Sequence, residues 1–265
     1  MAEDDVKVTL HWLNGSRAQG ILWLLEELQV PYELDVHHRL PSMLAPPELE
    51  KIHPLGKSPL VTVTSSALAE PIVLAESGFI VQYLSEHFPS ARRLFPTRWK
   101  EGREGTVGGE TEESMRYQYL MHYVEGSFMA TMSLHFIMMG LKSKNVPFLI
   151  RPLTSLVANQ VQGLVSIPNM KKHFALLEQY LETSPGSGQY LCGDELTGVD
   201  IMLAFPLQSG STTGMFETMT AWEKGTFKDT FPKLQAYNER ISKEPGWIRS
   251  EEKIREVEGK FSLLP

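Results

Sequence analysis

The sequence predicts a small α/β domain followed by an all-α domain. Three observations carry this. Residues 1–90 alternate between period-2 segments and segments with helical spacing. Residues 97–113 (TRWKEGREGTVGGETEE) then break the pattern, with Gly and charge dominant and only Trp99 and Val107 strongly apolar. From Ser114 onward apolar residues recur at helical spacing nearly throughout. The expected division is 1–90, a connecting segment 91–113 read as a mobile linker or surface loop, and 114–265.

The first segment opens with Val6 to Leu13, alternating like a half-buried strand. Asn14-Gly15-Ser16-Arg17 is a turn suited to capping a helix. Ile21, Leu22, Leu24, Leu25 and Leu28 follow at helical spacing up to Gln29. Pro31 precedes a second strand, Tyr32 to Val36. Pro46-Pro47-Glu48-Leu49-Glu50 reads as the first turn of a short helix, with proline where no amide donor is needed. Leu60 to Thr64 and Ile72 to Leu74 read as a strand pair. Phe79, Ile80, Tyr83 and Leu84 share one face of a helix running from Glu76 to near Pro89. The order β-α-β-α-β-β-α fits a single mixed sheet with helices on both faces. In the second segment, helices are expected over about 115–141, 148–165, 170–181, 198–208, 231–242 and 246–261.

Composition excludes several classes. With 42% hydrophobic residues and 22% charged, the 265-residue chain has the means to bury a core, which rules out pervasive disorder. One cysteine, Cys192, excludes a disulfide scaffold, and without a Cys-x-x-Cys pair there is no thioredoxin-type disulfide chemistry. Net charge is −7, and the whole excess lies in residues 1–90, with 5 Lys/Arg against 12 Asp/Glu. No basic footprint for nucleic acid or polybasic membrane anchor is present. The acidic start MAEDDVKV is unlike a secretory or mitochondrial signal. Phe128 to Leu141, the longest near-apolar run at 14 residues, is too short to span a bilayer. The expected setting is cytoplasmic, with Cys192 a buried, inert thiol. His37-His38 lacks cysteines or clustered carboxylates nearby, so no metal site is expected.

Three short stretches carry chemistry. His53-Pro54-Leu55-Gly56-Lys57-Ser58-Pro59 leads into a strand. A proline there has access to the cis isomer, and the turn would offer the Ser58 amide and carbonyl to a peptide-like ligand as an extra strand. Lys57 supplies a point charge for a carboxylate. Ala75-Glu76-Ser77-Gly78 opens a helix whose free N–H groups form an anion site; Ser77 adds a hydroxyl donor and Glu76 suits an ammonium group. The bland alternative is that both residues merely cap the helix. The third stretch, Leu13 to Arg17, places a hydroxyl at a helix start, where it either caps the helix or stabilises a thiolate and lowers its pKa. Further along, Tyr117, Tyr119, Tyr123 and Phe128 precede a run of methionines, a stripe that usually marks core. Thr197-Gly198-Val199-Asp200 reads as a capping box with a role in stability. The tail from Gly246 would either dock on a domain surface or lie across a pocket mouth.

These stretches, in this order and spacing, resemble the cytosolic glutathione S-transferases, and most closely their fungal, yeast-type subgroup. The resemblance spans essentially the whole chain, through segments 12–34, 45–61, 74–84, 119–127 and 190–207. It implies a thioredoxin-like domain that binds glutathione and an all-helical domain that builds the electrophile pocket. Ser58 would pair its backbone with the cysteinyl unit, and Pro59 would be cis. Lys57 and His53 would hold the glycyl carboxylate, and Glu76 and Ser77 the γ-glutamyl end. His53 rests on the resemblance alone. Relatives activate the thiol with a Tyr, Ser or Cys; this loop has no Tyr or Cys, leaving Ser16 as first choice, Asn14 as second, and Arg17 in support. Tyr119 and Tyr123 would line the electrophile pocket. No metal or cofactor is implied, glutathione being a cosubstrate, and a homodimer is.

The implied activity is conjugation of glutathione to hydrophobic electrophiles, in detoxification and stress response, with glutathione-dependent hydroperoxide reduction beside it. A glutathione-binding regulatory protein with little turnover is the alternative. A maleylacetoacetate-isomerase-like enzyme is a third option, weakened because the loop lacks that class's Ser-Ser-Cys run.

Overall fold

The computed structural model describes residues 5–264; the acidic start read from residues 1–4 lies outside them. The chain forms two compact units. One comprises residues 1–96, 196–209 and 239–265, the other 97–195 and 210–238. This departs from the linear division at 90 and 114. The helical part of the chain contributes residues 196–209 and the tail to the α/β unit.

That unit is built on a four-stranded sheet of order β2-β1-β3-β4, with β1 at Lys7–Leu13, β2 at Tyr32–His37, β3 at Leu60–Thr64 and β4 at Ile72–Ala75. β1 and β2 are parallel, joined by the crossover helix α1 (Ala18–Leu28), while β3 pairs antiparallel with both β1 and β4. One face is apolar. Val8 stands opposite Val63, Leu10 opposite Val61, and Val61 opposite Leu74, all of them buried. α1 packs beside α2 (Ser77–His87) in this unit.

The opposite face differs from the sequence expectation. Pro47–Lys51 forms a 3-10 turn, not an α-helix, and its Leu49 covers only the Leu13–Leu60 end of the sheet. Five residues between two proline-rich turns are too few for an α-helix to gain on its nucleation cost. The remainder of that face, around His11 and Thr62, carries polar side chains.

α1 is apolar nearly all round, with every residue but Glu26 buried. Such a helix needs cover on its outer side as well. The tail helix α11 (Pro245–Glu258) supplies it. Trp247 meets Trp23 edge-on at 5.5 Å. Glu27, buried, accepts from Trp23 Nε1 (2.9 Å) and from the Gly246 amide at the start of α11 (3.1 Å), and pairs with Arg93. A Cβ at Gly246 would lie 2.1 Å from Glu27 Oε1, so this approach requires glycine. The tail is therefore docked on the α/β unit. The capping box is present ahead of α7 (Gly198–Thr212): Asp200 Oδ2 accepts from the Thr197 amide (2.8 Å) and hydroxyl (2.7 Å), both residues being buried.

In the second unit α3 (Glu112–Tyr123) and α4 (Ala130–Gly140) form one rod joined by a π-helical segment at Val124–Met129. α5 (Arg151–Val161) likewise runs into α6 (Ile167–Glu182) through a π segment at Gln162–Ser166. The break expected between 165 and 170 does not occur. Pro168 cannot donate to the carbonyl one turn earlier, and the widened turn just before it absorbs that loss. Short helices α8 (Met215–Thr218), α9 (Phe227–Thr230) and α10 (Pro232–Ile241) follow. Glu178 accepts from the Lys233 and Leu234 amides and so caps α10. Phe128, Phe174, Phe216, Trp222, Phe227 and Phe231 form a buried aromatic core, with Phe174 in contact with each of the others.

Residues 97–113 are held more closely than a linker. Trp99 bridges Glu110, Lys100 N donates to Gly109 O (2.9 Å), and Thr111 N donates to Arg98 O (2.9 Å). The glycines serve turns within this closed loop. A Cβ at Gly109 would lie 2.1 Å from Arg103 O.

Candidate functional site

A cleft of about 410 Å³, counted out to solvent, lies on the α/β unit. Its lining comes from three places. The β1–α1 turn gives Arg17; the loop into β3 gives His53, Leu55, Lys57, Ser58, Pro59 and Leu60; the β4–α2 junction gives Ala75, Glu76 and Ser77. Seven of these are residues the sequence singled out. The sheet explains their meeting: Leu60 and Ala75 are register partners, so the two short segments preceding and following them emerge side by side.

The Ser58–Pro59 bond is cis. The pairing of β3 begins at Leu60, which leaves the main-chain groups of Ser58 outside the ladder. Gly56 makes the preceding turn at φ +54°, and a Cβ there would lie 2.6 Å from Glu50 Cγ. His53 Nδ1 accepts from the Leu55 amide at 3.3 Å, so its proton sits on Nε2 in the neutral ring. Lys57 is exposed.

At the third segment Glu76 is the N-cap of α2 with φ 70° and ψ 120°, and its side chain makes no capping hydrogen bond. A non-glycine residue at such a φ is strained and is held there by its surroundings. Ser77 Oγ is buried and has no hydrogen-bond partner. A buried hydroxyl without a partner costs free energy unless a ligand completes it. The simple capping role considered for this pair therefore does not describe it. Burial depresses the Arg17 guanidinium pKa, and the Glu76 carboxylate opposes that shift. The cleft thus sets Arg17 and Lys57, both cationic, around one carboxylate.

Ser16 and Asn14 are held differently. Ser16 is 6% exposed; its hydroxyl donates to Leu13 O (2.7 Å) and accepts from the Ala18 amide (3.1 Å). With its one proton engaged, its 2.9 Å contact with Ser58 Oγ has Ser58 as donor. This geometry leaves the Ser16 hydroxyl no further proton to offer and places it against Ser58 Oγ. Asn14 Oδ1 accepts from the Arg39 amide (2.8 Å), and the Arg39 guanidinium donates to Asn14 O (3.1 Å) and Gly15 O (3.1 Å). The Asn14 carboxamide NH₂ is left to donate. Arg39 was missed in the sequence; it lies 25 residues away beyond β2, and no local pattern marks it.

Tyr119 and Tyr123 lie in the other unit. Their rings stack at 5.8 Å, and Tyr119 also stacks on Tyr180 at 6.0 Å. Tyr123 is buried, its hydroxyl 2.8 Å from His173 Nδ1. Burial, then the neighbouring Tyr119 and Tyr180, push its phenol well above the ordinary range. Tyr119 is half exposed. Cys192 is buried. Near His37 the sequence reading overlooked Asp35, and strand pairing adds His11 beside it.

A thioredoxin-like unit whose cleft gathers Arg17, Lys57, Glu76 and an unpartnered Ser77 hydroxyl beside a cis Ser58–Pro59 bond defines the class. The family pattern "Glutathione S-transferase, N-terminal domain" matches residues 15–87, and "Glutathione S-transferase, C-terminal domain" matches 157–249. The chain is 32% identical over 254 residues to Glutathione S-transferase 1 of Saccharomyces cerevisiae, covering 96% of this chain and 98% of that protein. It is 30% identical over 200 residues to Glutathione S-transferase 3 of Schizosaccharomyces pombe, covering 76% and 73%. A crystal structure of a glutathione S-transferase from Actinobacillus pleuropneumoniae superposes with a TM-score of 0.64 at 26% identity, covering 97% of this chain and 95% of that one. The chain belongs to the glutathione S-transferase family, in its fungal, yeast-type branch, and is a glutathione transferase enzyme. Among the described residues no helix is long and apolar enough to cross a membrane.

Proposed function

We propose that this enzyme joins the sulfur of glutathione to small hydrophobic electrophiles, RX + GSH → R–SG + HX, or by Michael addition. The observation that carries the binding half is the Glu76–Ser77 junction, where a glutamate on a strained backbone and an unpartnered buried hydroxyl stand at the start of α2. Glutathione's γ-glutamyl carboxylate meets Ser77 Oγ and the helix amides, and its ammonium meets Glu76. The cysteinyl unit pairs with the Ser58 main chain as an added strand. The glycyl carboxylate meets Lys57, with His53 Nε2–H beside it.

The thiolate needs a donor and a positive field, since the nucleophile belongs to the cosubstrate. Asn14, fixed through Arg39 with its NH₂ available, is the better donor than Ser16, and Arg17 supplies the charge. Catalysis is then thiolate stabilisation and proximity. Hydroperoxide reduction uses the same thiolate, with two glutathiones supplying the electrons: ROOH + 2 GSH → ROH + GSSG + H₂O. Tyr119, half exposed, is the member of the tyrosine pair suited to touch an electrophile. A homodimer in the cytoplasm belongs to this reading. The exposed apolar run on and before α5, from Phe148 to Val157, supports a covered surface.

Turnover of glutathione with 1-chloro-2,4-dinitrobenzene, followed by conjugate absorbance, tests the proposal. Asn14→Ala is expected to lower kcat about 10–100-fold, the worth of one charge-assisted donor. Ser16→Ala is expected to act mainly through the position of Ser58 and to raise KM for glutathione. Retention on immobilised glutathione without turnover of this or any hydroperoxide substrate would favour a binding protein instead.

A further inference from the structure

The polar part of the sheet's second face holds a cluster that glutathione chemistry does not use. His11 of β1 stands in register with Asp35 of β2, and His37, two residues on, shares that face. His11 Nδ1 and His37 Nε2 lie 2.8 Å and 2.9 Å from the same oxygen, Asp35 Oδ2. The three potential ligand atoms all lie within 4.8 Å of one another. His11 is 7% exposed, while Asp35 is open to solvent over about half its side chain (48%). None of the three lines the glutathione cleft.

We propose that His11, Asp35 and His37 bind one divalent transition-metal ion of the zinc type, with water completing the coordination. Two imidazoles and one carboxylate are a donor set that zinc accepts, in tetrahedral geometry with an open position. Bond lengths of about 2.0–2.2 Å place tetrahedral ligand atoms roughly 3.3 Å apart. The two N–O contacts need to widen by about half an ångström to reach this, a change that side-chain torsions supply. The outer shell is also in place. His11 Nε2 lies 2.8 Å from Thr62 Oγ1, so when Nδ1 turns to a metal, the Nε2 proton has an acceptor that fixes the tautomer and ring orientation. Three of the four positions come from paired strands, not from a loop, so the set is preorganised.

The test uses the full chain, stripped with a chelator and free of glutathione, titrated calorimetrically with zinc chloride. One equivalent is expected to bind. Asp35→Asn, which keeps shape, and His37→Ala are each expected to weaken binding at least about tenfold, while His38→Ala leaves it unchanged. Cobalt(II) in place of zinc is expected to give visible ligand-field bands in the wild type that vanish in Asp35→Asn. Circular dichroism establishes that each variant is folded. No stoichiometric binding by the wild type, or binding that survives both ligand substitutions, overturns the proposal and leaves a hydrogen-bonded triad.

Discussion

The cleft at Ser58, Glu76 and Ser77 and the aromatic cluster around Tyr123 both gather polar groups among apolar ones, yet they treat those groups oppositely. In the cluster the polar atoms are paired internally: Tyr123 Oη with His173 Nδ1, and His173 Nε2 with Thr131 Oγ1 at 3.1 Å. In the cleft Ser77 Oγ is buried without a partner, Glu76 is held at positive φ, and the Ser58 main chain lies beyond the sheet ladder. The first region has settled its hydrogen bonds by folding; the second has not, and on the function proposed above glutathione completes them. A polar residue in a core therefore says little until its partners are known.

That contrast is sharpest when stability and binding are measured on the same variants. The largest effect is expected from Phe174→Ala. Removing the ring at the centre of the aromatic core costs about 3–5 kcal/mol in urea unfolding, with KM for glutathione little changed in protein that remains folded. Glu76→Gly is expected to do the reverse. Relief of the backbone conformation offsets glycine's entropy and leaves stability unchanged or raised by roughly 1 kcal/mol. Loss of the charged partner raises KM for glutathione by up to about a hundredfold. If Glu76→Gly destabilised the fold without affecting KM, the junction would be structural and the comparison would fail. Ser77→Ala is the milder form: about a tenfold rise in KM, with no loss of melting temperature because no hydrogen bond is removed.

The smallest effect concerns pH and belongs to two internally paired histidines of the second unit, His173 of the cluster and the buried His135, whose Nδ1 lies 3.1 Å from Ser166 Oγ. Burial, and for His135 the nearby Lys142 as well, hold His135 and His173 below the ordinary histidine pKa. The unfolded chain then takes up protons first. Their contribution to stability is full above about pH 7 and is lost as pH falls through about 6.5 and below. Urea midpoints measured across this range should decline toward acid, and His135→Gln should flatten the decline. A slope that is unchanged in that variant removes His135 from the account.

Much of this was legible in the chain itself. The four strands, α1 and α2 follow from periodicity and punctuation, because a period-2 or 3.6-residue pattern is a local property of the sequence. The site segments were legible for a related reason: a proline before a strand, and Glu-Ser at a helix start, each carry their chemistry within a few residues. The continuous α5–α6 rod was not, since a π turn before Pro168 depends on the packing that keeps the helix going. The short 3-10 turn at Pro47–Lys51 was read as a helix because its first turn looks the same in either case.

What the sequence alone determined is therefore the strands and helices whose periodicity is long enough to read, and the short runs of polar residues that the fold then gathers at the cleft. Tertiary structure decided the partners. It placed the tail on α1 through Glu27 and Trp247, gave the Ser16 proton to Leu13, turned the Asn14 amide with Arg39, and set His11 against Asp35 and His37. The physical reason is that a hydrogen bond or an ion pair can join groups far apart in the chain: Gly246 and Glu27 are 219 residues apart, Arg39 and Asn14 25, and His11 and Asp35 24. Composition and periodicity fix which groups exist, and only the fold fixes which of them meet.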